Sequence, residues 1–197
     1  MLRGTFALAV CVSPLALPLA AQPPEWRIDA SHSAAQFTVR HMMVSNVRGH
    51  FGKITGAARF DTADPTRGSI EVTIDVSSID TREPKRDAHL KSADFFEVEK
   101  YPNMTFKSKR IERSGSGFKL TGDLTIRGTT REVVFDVEPL APEIKDGRGG
   151  VRTGSTATAR INRKDFGLTW NRAIETGGLV VGDEVTITVD LQFIRKL

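Results

Sequence analysis

The chain of 197 residues carries 28 Lys and Arg against 24 Asp and Glu, with 39% hydrophobic residues and a single cysteine. This is the arithmetic of one folded domain rather than of a disordered or collagen-like chain, and one cysteine excludes both an intrachain disulfide framework and a zinc cluster built on cysteines. The net charge of +4 arises from charges interleaved in sign along the chain, so no nucleic acid is expected as a partner.

Residues 1–21 stand apart from the rest. Arg3 is their only charge, the stretch from Thr5 to Leu19 is almost wholly apolar, and the segment ends on Leu19-Ala20-Ala21. A short positive start, an apolar run and a small-residue ending are the layout of a secretory signal peptide. We expect cleavage after Ala21, which leaves residues 22–197 as the domain. A membrane anchor fits less well, because Pro14 and Pro18 interrupt a stretch shorter than the roughly 20 apolar residues of a spanning helix. Val10 before Cys11 disfavours a lipoprotein site, so the cysteine is expected to leave with the signal and the domain to act outside the cytoplasm.

Beyond residue 22 the pattern is alternation with period two. Trp26 and Ile28, then Ala35, Phe37 and Val39, then Ile54 with Gly56, Ala58 and Phe60, then Ile70, Val72, Ile74 and Val76 each alternate with polar residues. The same holds for Met104 and Phe106, for Phe118, Leu120, Leu124 and Ile126, for Val133, Phe135 and Val137, and for Val185 to Phe193. Alternation of this kind predicts strands with one apolar face. Turn signals between them, such as Asp64-Pro65, Ser114-Gly115-Ser116-Gly117, Arg127-Gly128 and Gly182-Asp183, predict short loops and antiparallel neighbours.

One segment breaks the pattern. From Asp80 to Tyr101 the composition turns to charged helix formers, with Asp80 and Glu83 spaced as a cap pair and Pro84 suited to a first turn. The expectation is a short helix around Lys85 to Lys91, then a second turn starting at Ser92, within a helical insertion near residues 84–96. Leu90, Phe95 and Phe96 should pack as a lid on the sheet, tied down by Arg86, Asp87 and His89.

About eight such strands must close or stack. A closed up-and-down barrel removes edges and at eight strands has room for one small ligand; a two-sheet sandwich is the alternative. Small residues on the inward faces, Ala35, Gly56, Ala58, Gly122 and Ala159, either leave space for a ligand or merely fit the taper of a filled barrel. Patterning alone leaves both pairs of alternatives open.

Motifs for catalysis are missing from the sequence. There is no G-x-S-x-G elbow and no phosphate loop, and Asp165-Phe166-Gly167 matches the kinase tripeptide without any accompanying kinase element. The four histidines, His32, His41, His50 and His89, lack metal-ligand spacing, so no metal and no cofactor is expected. His41 continues the parity of Ala35, Phe37 and Val39 and should point inward at the end of an apolar face. There it either joins strand to helix or meets a ligand head group.

Four ordered blocks carry a family resemblance. Phe37-Thr38-Val39-Arg40-His41-Met42-Met43-Val44 followed by Val47-Arg48-Gly49-His50-Phe51 is the first, and Arg86-Asp87-Ala88-His89-Leu90-Lys91-Ser92-Ala93-Asp94-Phe95-Phe96 with Tyr101-Pro102 and Phe106 is the second. Gly122 to Thr130 and then Ile161 to Leu168 with Gly182-Asp183-Glu184-Val185 complete the set. Together, over residues 26 to about 194, they resemble the YceI-like family of lipocalin-like, polyisoprenoid-binding periplasmic proteins. The resemblance implies an all-β fold, an extended antiparallel eight-stranded lipocalin-like barrel, whose internal apolar channel binds a long-chain isoprenoid or fatty amphiphile in the periplasm without catalysis. No catalytic group transfers from these blocks.

Such binding needs little polarity. Each buried methylene contributes about 0.8 kcal/mol, against several kcal/mol for immobilising the chain, so only a long chain reaches micromolar affinity. The residues expected to line the channel are Phe37, Val39, His41, Ile54, Phe60, Val72, Ile74, Phe106, Leu120, Leu124, Phe135, Phe166 and Trp170. Two other functions stay open: an enzyme or redox accessory in which His41, His89 and Asp94 act on a quinone-like ligand, and an interaction module for a membrane complex that uses the helix and its phenylalanines. A transient contact with a membrane or membrane protein and a homodimer also remain open.

Overall fold

The computed structural model describes residues 22–174 and 177–196, so the expected signal peptide lies outside the described residues. Along the chain run β1 (Glu25–Ile28), β2 (Ala34–His41), β3 (Ser45–Phe51), β4 (Ile54–Arg59), β5 (Ser69–Asp75), β6 (Ile79–Asp80), α1 (Pro84–Lys91), β7 (Asn103–Ser114), β8 (Gly117–Ile126), β9 (Thr129–Val137), β10 (Ile144–Lys145), β11 (Gly150–Asn162) and β12 (Val181–Lys196).

Several of these lie end to end. β1 and β2 run against β4 and β3 as one bent hairpin, from Glu25 opposite Arg59 to His41 opposite Ser45. β5 and β6 flank the same partner in succession. The result is an antiparallel ring of eight staves in sequence order, closed where β11 pairs with β12 along its whole length and β12 pairs with β2 and β1. The barrel therefore stands and the sandwich does not.

Register puts the apolar rows together. Val39 faces Val47 on one side and Val185 on the other, Phe106 lies between Val72 and Leu124, and Leu120 faces Phe135. Because side chains alternate, a slip by one residue would turn each row out to water, and this pins the pairing.

The end where the chain enters, here the lower end, is closed by Trp26. Its side chain is fully buried, stacks on Phe60 with centroids 5.4 Å apart, and donates its indole N–H to the Phe60 carbonyl at 3.0 Å. Arg195 lies over the outer face of that ring and pairs with Glu143 at 2.9 Å. Burying an indole contributes roughly 4 to 6 kcal/mol gross, and the bonded N–H removes the cost of its polar edge.

The upper end holds the helical lid. Pro84 takes the first position of α1 and the Glu83 carboxylate accepts the Lys85 N–H at 3.2 Å. Asp80 is not the second member of that cap: it accepts the Arg82 N–H at 2.6 Å in a turn of its own. Arg86 and Asp87 bind the lid through one residue. Asp87 accepts both the N–H and the hydroxyl of Thr81, and the Arg86 guanidinium donates to the Thr81 hydroxyl and carbonyl. Phe95 is buried and Phe96 meets Phe51 edge-on at 5.9 Å.

The weakest seam is between β9 and β11, where the ladder pairs only Val137 with Ala157 and Asp136 with Thr158. Above it a 3₁₀ turn, Arg163–Phe166, packs against β9 with Phe166 buried. Arg163 is buried as well. Its guanidinium donates to the carbonyls of Leu168, Trp170 and Gly182 and approaches Asp183, and so gathers the loop after β11 onto the start of β12. Burial lowers its pKa, which Asp183 partly opposes.

Asp29, between β1 and β2, is the junction of a second polar cluster. It accepts from Ser31, Arg152 and His32, and from Gln192. The Ser31 hydroxyl foremost, then Arg152 and His32, hold its carboxyl far below the ordinary range. A depressed folded pKa stabilises the fold above the unfolded value near 4 and ceases to do so as acid protonates the group. Asp29→Asn is therefore expected to lower the urea midpoint at neutral pH, with the gap to the wild type closing below about pH 4. A gap independent of pH would contradict this role.

Candidate functional site

The barrel interior holds three voids in line. The lower, about 80 Å³, is walled by Ala58, Phe60, Ile70, Ile111, Phe118, Leu120, Val137, Leu140, Ala157, Leu191 and Phe193, with Pro65, Ser69 and Ser155 at its edge. The middle, about 90 Å³, is walled by Ile70, Val72, Ile74, Met104, Phe106, Leu120, Leu124, Ile126, Phe135, Ala157, Ile187, Val189 and Leu191, with the outward-facing Thr105 between Met104 and Phe106 at its edge. Ile70, Leu120, Ala157 and Leu191 belong to both walls, so the two are one apolar channel with a waist. A void that holds a water needs about 10 to 15 Å³ and two or more polar partners. This channel has the room, but its walls present almost no polar surface, the Ser155 hydroxyl at its edge already donating to the Glu138 carbonyl.

The upper void, about 190 Å³, lies under the lid between Phe37, Val39, Arg40, His41, Val47, Arg86, His89, Leu90, Phe95, Trp170, Val180 and Val181. Phe37 lines it, while Ile187, the residue paired with Phe37, lines the middle void, so that level of the barrel separates the two. His89 binds Asp94 at 2.7 Å and stands edge-on to Trp170 and Phe95, with centroids 4.8 and 5.1 Å away. The upper void thus differs in kind from the channel beneath it, combining aromatic walls with two imidazoles and two guanidinium groups, Arg40 and Arg86.

The structure distributes the expected lining residues unevenly. Phe60, Val72, Ile74, Phe106, Leu120, Leu124 and Phe135 line the lower channel, and Phe37, Val39, His41 and Trp170 the upper void. Ile54 and Phe166 are instead packed in the core, 1% and 2% exposed, and face none of these voids. Ile54, opposite Ile74, is taken up in the hydrophobic core, and Phe166 is buried on the 3₁₀ turn that packs against β9.

Of the small inward residues, only Ala58 makes room on a wall. A Cβ at Gly122 would sit 2.5 Å from the Phe106 ring, and one at Gly56 would sit 2.2 Å from the Glu71 carbonyl oxygen, so these glycines admit neighbouring protein atoms rather than a ligand. Ile111 and Leu140 on the lower wall were missed in the sequence, and so was Ala157. Ala157 sits in Thr153-Gly154-Ser155-Thr156-Ala157-Thr158, where the inward positions are as small and polar as the outward ones and show no alternation. Ile187, Val189 and Leu191 were visible as an inward row and belong on the wall.

Among the described residues no group of three or more His, Cys, Asp or Glu side chains is arranged to hold a metal ion. The residues around the upper void include no serine, threonine, cysteine or tyrosine beside the histidines.

Residues 26–193 match the YceI-like domain. A UPF0312 protein of Staphylococcus aureus strain MSSA476 is 38% identical over 165 residues, which cover 84% of this chain and 94% of that protein. Among solved structures, Burkholderia cenocepacia BcnA superposes with a TM-score of 0.70 at 27% identity, covering 84% of this chain and 98% of BcnA. A polyisoprenoid binding domain from Saccharophagus degradans shares the fold at 15% identity with a TM-score of 0.59, over 85% of this chain and 97% of that domain. The barrel, its lid and a family match that spans nearly every strand make this chain a member of the YceI-like family.

Proposed function

We propose that the protein is a non-catalytic carrier of a long-chain amphiphile, isoprenoid or fatty, whose chain occupies the apolar channel and whose polar end sits in the upper void. The observation that carries this is the channel wall: aliphatic and aromatic side chains around space that offers water almost no polar surface. Each methylene placed there contributes about 0.8 kcal/mol, and about fifteen or more are needed to offset immobilisation and reach micromolar affinity. Filling the barrel from end to end requires the level of Phe37 and Ile187 to open, because the upper and lower spaces meet there. The structural relative described as a polyisoprenoid binding domain supports the same class of ligand. The signal-like segment ending at Ala21 supports export to the periplasm as the place of action, which N-terminal mass analysis of exported protein tests.

The competing accessory-enzyme function has one point in its favour, since His41 and His89 do share the upper void and Asp94 orients His89. The void supplies no nucleophile for them to activate, so a role in holding the lid and meeting a head group accounts better for them.

Titration with a fluorescent long-chain fatty or isoprenoid probe tests the proposal. Saturable micromolar binding with a blue shift is expected, competed by unlabelled chains and not by short-chain analogues. His41→Ala should weaken binding by about 1 to 3 kcal/mol if the imidazole bonds the head group. Unchanged affinity in that variant would confine His41 to packing, and a chain of any length failing to bind would refute the carrier.

A further inference from the structure

The rim of the upper void carries an apolar tip that the barrel does not use. The β2–β3 turn consists of Met42, Met43 and Val44, which are 41%, 64% and 82% exposed. Leu179 stands exposed on the adjoining loop, and the Met42 N–H donates to the Val180 carbonyl at 2.8 Å. On either side of this tip, His41, Val180 and Val181 line the upper void. The exposed side chains are therefore continuous with the mouth of the channel.

The turn is an unusual place for them. Met42 and Met43 both have left-handed backbones, with φ of 50° and 60°, in a type of hairpin turn that Asn-Gly forms with less strain. Nor is the tip electrically neutral. From Arg40 to Arg48 the sequence has two arginines, one histidine and no acidic residue. Arg40 donates to the Met43 carbonyl at 2.7 Å and to the Asn46 side chain at 3.2 Å, which holds its guanidinium beside the apolar side chains.

A second protein is a poor match for this surface. A stable interface buries about 800 Å² on each partner and engages about 20 to 30 residues a side, whereas this patch is a few side chains at the apex of a hairpin. An apolar point with a guanidinium held beside it fits the boundary of a lipid bilayer, where methionine and valine enter the acyl region and arginine meets lipid phosphate. We propose that the β2–β3 tip docks the mouth of the channel onto a bilayer surface that carries anionic headgroups. Docking there would let a chain pass between bilayer and barrel without crossing water. That consequence rests on the carrier function, while the docking itself does not.

Vesicle flotation tests it, with phosphatidylcholine vesicles containing phosphatidylglycerol against phosphatidylcholine alone. The chain should float with the anionic vesicles, less so as salt rises. Met43→Asp and Val44→Asp should each lower partition about tenfold, the equivalent of one buried apolar side chain, with an unchanged melting temperature because both positions are exposed. Arg48→Glu should weaken docking most at low salt. A tryptophan placed by Met43→Trp should shift to the blue and be quenched by brominated lipid, whereas Ser116→Trp, in the β7–β8 turn at the opposite end, should do neither.

Failure to float, flotation insensitive to Met43→Asp, or equal quenching at both tips would overturn the proposal. So would a concentration-dependent dimer abolished by Met43→Asp, which would make a second copy of the chain the occupant. If the tip docks but the probe finds no site in the channel, the carrier function falls and the docking stands; probe binding without flotation gives the reverse.

Discussion

Leu124→Asp is expected to empty the channel and to destabilise the barrel by at least about 4 kcal/mol. Leu124 is buried on the wall of the middle void, with Phe106 as its neighbour on β7. Truncating a buried leucine costs about 2 to 5 kcal/mol, and an unpaired carboxylate with no donor in reach adds to it or must take up a proton. Thr125, the next residue, lies on the outer face with its hydroxyl bonded to that of Thr130 at 2.8 Å, and Thr125→Asp should leave binding intact and cost less than about 1 kcal/mol. Because Leu124→Asp threatens the fold, Ala157→Phe separates space from stability. A ring at the waist shared by both voids should exclude the chain while the protein stays folded by circular dichroism. Probe binding undiminished in Ala157→Phe would place the ligand elsewhere.

The second large effect is expected at Arg163, outside the channel. Replacing it with methionine keeps the volume but leaves the carbonyls of Leu168, Trp170 and Gly182 without their donor and Asp183 without its partner. Breaking a buried network of this sort costs about 3 to 5 kcal/mol. Lysine should rescue little, since one ammonium cannot reproduce a planar fork that reaches three carbonyls. The loop it gathers carries Trp170 into the upper void, so proteolysis should cut first between residues 168 and 180 in the variant. A loss below 1 kcal/mol on chemical denaturation would show that the network is dispensable.

The strands most legible in the sequence are those that meet apolar neighbours on one side and water on the other. Ile70, Val72 and Ile74 on β5, the Val185–Phe193 row on β12 and the β8–β9 hairpin announce themselves by alternation, and parity alone places His41 at the upper mouth. β11 does not announce itself. Its inward residues run Val151, Thr153, Ser155, Ala157, Ala159 and Ile161, small or hydroxylated where they pass the waist of the channel. Gly49 on β3 is hidden for another reason: the Phe37 ring occupies the place of its side chain, with a Cβ there only 2.5 Å from the ring. What a wall residue leaves out is invisible to a hydrophobicity pattern. Hence the closure of the barrel could be read from its blocks, whereas the division of its interior into channel and upper void could not.

The most direct measurement of the central claim is mass spectrometry of an organic extract from protein purified gently from its native host, without detergent. The carrier function predicts an amphiphile with a long apolar chain, at a substantial fraction of one per protein and depleted in Ala157→Phe. A barrel that yields no such chain, and that cannot be loaded with isoprenoid, fatty or quinone-like chains at micromolar concentration, would contradict it.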